Sequence, residues 1–125
     1  MIVGQVNAFC EAVVRLSVRG FLGVEQDVEA VVDTGYTGFL TLPPDLIAAL
    51  RLPFRRRSSA VLGDGRVTFF NVHEATILWD NELRRIPVDA SSTDPLIGMR
   101  LLYGHEMIVQ IFEGGDVSLR ALSIS

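Results

Sequence analysis

Short apolar runs, each broken by glycine, proline, asparagine or aspartate after a few residues, set the strongest limit on what this chain can become. Segments of that length with β-branched residues and turn formers between them predict strands joined by tight connections. Val13, Val14, Leu16 and Val18 are interrupted by Arg15 and Ser17 in partial alternation, so strands are expected at residues 2–8 and 12–18. Gly20-Phe21-Leu22-Gly23 reads as a glycine-bounded turn, followed by a strand at 26–32 and a short one at 39–42.

Pro43-Pro44-Asp45 ahead of Leu46, Ile47, Ala48, Ala49 and Leu50 predicts a helix. Proline suits a first turn whose N–H groups have no intrahelical acceptor, and an acid there meets the positive end of the dipole. Arg51-Leu52-Pro53 ends it. Gly63-Asp64-Gly65, between stretches at 58–62 and 66–72, has the backbone freedom of a projecting hairpin turn. Asp80-Asn81-Glu82 separates a second pair of strands at 75–79 and 83–88. After polar Ser91-Ser92-Thr93-Asp94 come Leu96-Ile97-Gly98, a short helix at 99–103, a strand at 107–112, a turn at Glu113-Gly114-Gly115-Asp116 and a last strand at 117–122. Many short strands and one or two short helices make an all-β chain, expected to close into a small barrel.

At 125 residues the chain suits a single domain over residues 1–125. Hydrophobic residues make up 49%, more than one small monomer readily hides, which favours self-association. A net charge of -4 weighs against a protein that wraps nucleic acid. The single Cys10 cannot form an internal disulfide and is expected to be a small buried or half-buried side chain. No basic start precedes an uninterrupted apolar segment near the N-terminus, and the longest apolar stretch, at 39–50, holds Pro43, Pro44 and Asp45. The expected location is the cytoplasm, with no membrane partner.

One stretch looks like reaction chemistry. Asp33-Thr34-Gly35 is entered through Val28, Ala30, Val31 and Val32 and left through Tyr36-Thr37-Gly38-Phe39-Leu40. A carboxylate that ends a buried strand on a glycine turn is held rigidly at a surface shaped by the interior. The surroundings resemble the active-site motif of aspartic proteases, where peptide hydrolysis takes two carboxylates that share one proton, so that one withdraws a proton from water while the other hydrogen-bonds the carbonyl under attack. Two carboxylates within hydrogen-bond distance cannot both ionise comfortably, and such a pair titrates in two separated steps. Neither Asp94-Pro95 nor Asp64-Gly65 repeats the approach and exit of Asp33, so the second carboxylate is expected from a second copy across a twofold axis.

These features resemble the retropepsin-like aspartic proteases, half-length enzymes that act as homodimers with one Asp-Thr-Gly turn per subunit. The likeness covers roughly residues 28–112. It implies a closed β-barrel of the acid-protease type with one lobe per chain, and an endopeptidase that needs neither cofactor nor metal. Asp33 becomes the catalytic carboxylate, Thr34 a hydrogen-bonding partner across the dimer axis, Gly35 the point of close backbone approach and Thr37 a hydroxyl support for the loop. Gly63, Asp64 and Gly65 correspond to the flap over an extended peptide or protein substrate, and Leu96-Ile97-Gly98 to the element packed beneath the catalytic loop. Tyr36 stands where that family usually has a small residue, and the glycine-isoleucine-glycine tip of viral flaps is missing.

Two readings compete. The same fold can serve as a catalytically inactive peptide-binding or dimerisation module, and a small barrel could grip nucleic acid through Arg55, Arg56 and Arg57. Consecutive arginines beside an apolar hairpin more often form a solvated strand edge that discourages aggregation. His73 and His105 have no ligands at zinc spacing and are expected at the surface. Trp79, Phe69 and Phe70 are expected as core or interface anchors.

Overall fold

Alternation decides which face of each strand is buried. In β2 (Ala12–Arg19), Val14, Leu16 and Val18 point inward and are buried, with Arg15 exposed between them. Its antiparallel neighbour β3 (Glu25–Val32) buries Val28 and Ala30 and turns Glu25, Asp27 and Glu29 to solvent. The computed structural model describes residues 1–124.

The other strands are β1 (Ile2–Val6), β4 (Leu40–Leu42), β5 (Phe54–Val61), β6 (Val67–Trp79), β7 (Glu82–Ala90), β8 (Leu96–Ile97), β9 (His105–Val109) and β10 (Asp116–Ala121). Two short helices, α1 (Pro44–Ala49) and α2 (Met99–Leu102), complete the chain. All strands join one sheet in the order β5-β6-β7-β4-β8-β3-β2-β1-β10-β9. Residues Ser17, Val18 and Arg19 of β2 also pair with Leu78, Ile77 and Thr76 of β6. That contact bends the sheet into a ring from β6 through β7, β4, β8 and β3 to β2, so the chain is all-β and closed. Beyond the ring, β5 lies on β6 as an edge strand, and β1, β10 and β9 extend from the first half of β2.

Inside the ring, Leu40, Leu42, Ile77, Ile86, Val88, Ile97 and Leu101 are almost fully buried. They form one cluster with the inward residues of β2 and β3. Helix α1 covers an end of this core with Ile47, while Asp45 stays exposed at its first turn. Among the described residues no helix is long and apolar enough to cross a membrane.

Several local expectations need correction. The two strands expected at 66–72 and 75–79 are one, β6 (Val67–Trp79), because His73 and Glu74 continue the ladder against Val88 and Pro87 and both side chains find partners. His73 donates from Nδ1 to the carbonyl of Leu52 at 3.0 Å, and Glu74 accepts from Arg55 at 2.8 Å. Neither histidine is a plain surface residue. Both are half-buried, and His105 packs edge-on against buried Trp79 with ring centroids 5.7 Å apart. Cys10 is exposed, at a positive φ of 59°, in a tight turn where Asn7 Oδ1 accepts from the amides of Phe9 and Glu11. Trp79 is a core residue as expected, but Phe69 lies exposed beneath the Arg57 guanidinium, 5.5 Å from its ring centroid. The arginine run does form a solvated edge: Arg55, Arg56 and Arg57 lie on β5, all exposed.

Ile97 is the test of this closure, since it pairs with both β3 and β4 and has no exposed surface. Ile97→Ala is expected to lower stability by about 2–5 kcal/mol, read from urea unfolding monitored by Trp79 fluorescence.

Candidate functional site

Asp33 follows β3 directly, and its position comes from a strand that lies far away in sequence. The two residues of β8 insert between β3 and β4, parallel to the first and antiparallel to the second. Val31 N–H donates to Pro95 O, and Asp33 N–H donates to Ile97 O, both at 2.9 Å. Immediately past β8, Gly98 N–H donates to Phe39 O, Met99 N–H to Tyr36 O and Arg100 N–H to Gly38 O, at 2.8–3.1 Å. The loop from Asp33 to Phe39 is therefore pinned at both ends by backbone bonds to one segment.

Within the loop, Asp33 Oδ1 accepts the amide of Gly35 at 2.9 Å, and Tyr36 N–H donates to Asp33 O at 3.2 Å. One carboxylate oxygen is thus fixed by a turn that points the group outward. Asp33 is half-buried, and Thr34 and Gly35 are exposed at the tip. A Cβ at position 35 would lie 3.2 Å from Asp33 Oδ1, so any larger residue presses on the carboxylate.

Tyr36 is folded into the protein. Its hydroxyl donates to Asp89 Oδ2 on β7 at 2.6 Å. A Cβ at Gly98 would strike its ring and the carbonyl oxygen of Gly38, so only glycine at 98 leaves the ring its place. Burial first, and then the hydrogen bond to the Asp89 carboxylate, push the phenol well above its ordinary pKa of 10.0.

Beside the loop runs a groove of about 760 Å³. Residues 35–39 form one wall, and Ser58, Ala60, Thr68 and Phe70 on the β5–β6 hairpin form another. Register places Arg56, Val72, Asp89 and Thr41 as successive partners across β5, β6, β7 and β4, so these side chains share the groove face. Thr41 is buried and its hydroxyl accepts from Leu96 N–H at 2.9 Å, tying β8 to the same row.

Of the residues singled out from sequence, Asp33, Thr34, Gly35 and Thr37 fall on one loop, with Gly35 and Thr37 lining the groove. Thr37 is exposed and makes no side-chain hydrogen bond among the described residues; Tyr36 anchors the loop instead. Gly63, Asp64 and Gly65 form the hairpin tip, where Asp64 Oδ1 accepts the amide of Arg66 at 3.0 Å. The arms of the hairpin, rather than that tip, line the groove. Tyr36 with Asp89, and Thr41 with Leu96, were not foreseen. Only the unusual bulk of Tyr36 two residues before a glycine hinted that it needed its own partner.

No family model and no curated protein matches the chain.

Tyr36→Phe is expected to lower stability by about 1–2 kcal/mol at neutral pH, because it leaves a half-buried carboxylate without its protein donor. The pH dependence has a definite sign. Folding raises the phenol's pKa, so above about pH 10 the unfolded chain has lost a proton that the folded chain keeps, and stability falls as pH rises. Its contribution is complete below that pH. Urea unfolding between pH 8 and 11 should therefore show a shallower alkaline decline in Tyr36→Phe than in the wild type.

Proposed function

We propose that the chain is one half of an aspartic endopeptidase of the retropepsin-like kind, active as a homodimer, with Asp33 of each copy meeting at a twofold axis. The observation that carries this reading is the setting of Asp33. It directly follows β3, whose inward face is buried, its amide and one carboxylate oxygen are fixed, and the exposed turn that holds it borders a groove whose other wall is the β5–β6 hairpin. Exposure of Thr34 and Gly35 leaves the tip of that turn available to a second copy. The closed ring then corresponds to an acid-protease barrel with one lobe per chain, and the β5–β6 hairpin to its flap.

The chemistry follows from one proton shared by two carboxylates. The ionised member takes a proton from water, and the water oxygen attacks the peptide carbonyl carbon. Its protonated partner donates to the carbonyl oxygen, giving a neutral tetrahedral intermediate. A proton then passes to the amide nitrogen, the C–N bond breaks, and acid and amine products leave. An extended peptide suits the groove because strand edges offer it backbone partners and alternate side chains face opposite walls.

Asp33→Asn should remain folded and dimeric by sedimentation equilibrium while losing at least about a hundredfold in cleavage of an unfolded protein substrate. Cleavage by that variant at the wild-type rate, or a wild-type chain that stays monomeric while cutting, would overturn the proposal.

A further inference from the structure

Resting on the reading of the groove as a peptide site, we propose that Asp89 is a specificity-determining residue that pairs with a lysine or arginine side chain of the bound peptide. Asp89 is half-buried in the groove wall. The Tyr36 hydroxyl occupies Oδ2, and Oδ1 has no hydrogen-bond partner among the described residues. Of the ion pairs among those residues, none involves Asp89. Among the described residues its only partner is a neutral phenol, which orients the carboxylate without cancelling its charge.

A peptide laid along the groove strips water from this carboxylate. A buried charge left unpaired is strongly unfavourable, and a cationic side chain that reaches Oδ1 removes the penalty while forming a charge-assisted hydrogen bond. Pro87, two residues before Asp89 on the same face of β7, half-buried and lining the groove, offers an apolar surface for the methylenes of such a side chain.

Two groove arginines could favour the opposite charge. Arg56 occupies the far end of the row on the edge strand, two interstrand spacings of about 4.8 Å each from Asp89. Arg100 lies on α2. Both are exposed, so water screens them and they keep their hydration when the groove fills. The carboxylate is the charge that a covering peptide desolvates, and it dominates selection.

Binding, measured without cleavage, tests this separately from the catalytic reading. Fluorescent extended peptides identical except for lysine, norleucine or glutamate at one scanned position would be titrated against the Asp33→Asn protein. At one position lysine should bind about tenfold tighter than norleucine and glutamate weaker than both. Adding Asp89→Asn should reduce the lysine preference to less than about twofold, with thermal melting to verify folding. Equal binding of lysine and norleucine at every position, tightest binding of glutamate, or a lysine preference that survives Asp89→Asn would each overturn the inference. Loss of activity is not the readout, so a lysine-selective groove in a protein that cuts nothing would refute the peptidase reading alone.

Discussion

The insertion of Leu96 and Ile97 between β3 and β4 is the contact on which the remainder depends. Strands β3 and β4 are joined by a loop of only seven residues, 33–39, yet they do not pair with each other. A third strand separates them, so the loop has to bridge its width. It cannot relax into a hairpin, and its backbone groups are satisfied across the gap by Gly98, Met99 and Arg100. The same two residues that close the ring therefore hold the carboxylate of Asp33 at its rim. Core packing and site geometry share one cause, because Ile97 buries its side chain in the barrel while its carbonyl accepts the Asp33 amide.

Much of this was legible in the sequence because it is local. Strand alternation in β2 and β3, the proline start of α1, and the turns at Gly63-Asp64-Gly65 and Asp80-Asn81 depend on neighbours a few residues apart. The Asp33 loop and Leu96-Ile97-Gly98 were each visible as motifs as well. The resemblance also placed the second beneath the first; what escaped was the insertion of Leu96 and Ile97 as a strand between β3 and β4. The bond from Tyr36 to Asp89 spans 53 residues and exists only because β7 lies beside β4 in the closed sheet. Sequence spacing carries no trace of that. Residues 73 and 74 looked like a break because they are polar in the middle of an apolar run. In the fold each meets a specific acceptor or cation, and polarity marks a satisfied ladder rather than its end.

Tyr36 shows how an apparent misfit is accommodated. A large residue just after the Asp33 turn would obstruct the groove if it projected from the loop. Instead Gly38 and Gly98 leave room for the ring, and the Asp89 carboxylate receives its hydroxyl. Loop, β8 exit and β7 become one hydrogen-bonded unit. The phenol also sets the direction of the Asp89 carboxylate, so the bond that anchors the loop orients a charged group on the groove wall.

The hairpin beside the groove is built on a different balance. No side chain of β5 is fully buried, and Val61, Val67 and Phe69 are exposed near its outer end. It is held by the ladder to β6, by the stacking of Arg57 on Phe69 and by the pairing of Arg66 with Asp64, all at the surface. Such contacts are weak beside the burial that fixes the ring, since exposed ion pairs contribute roughly 0–1 kcal/mol each. Displacing the outer hairpin thus disturbs little of the core, whereas moving the Asp33 loop breaks bonds to β8 and uncovers Ile97. The groove therefore has one wall fixed to the core, the Asp33 loop, and one held mainly by surface contacts, the outer hairpin.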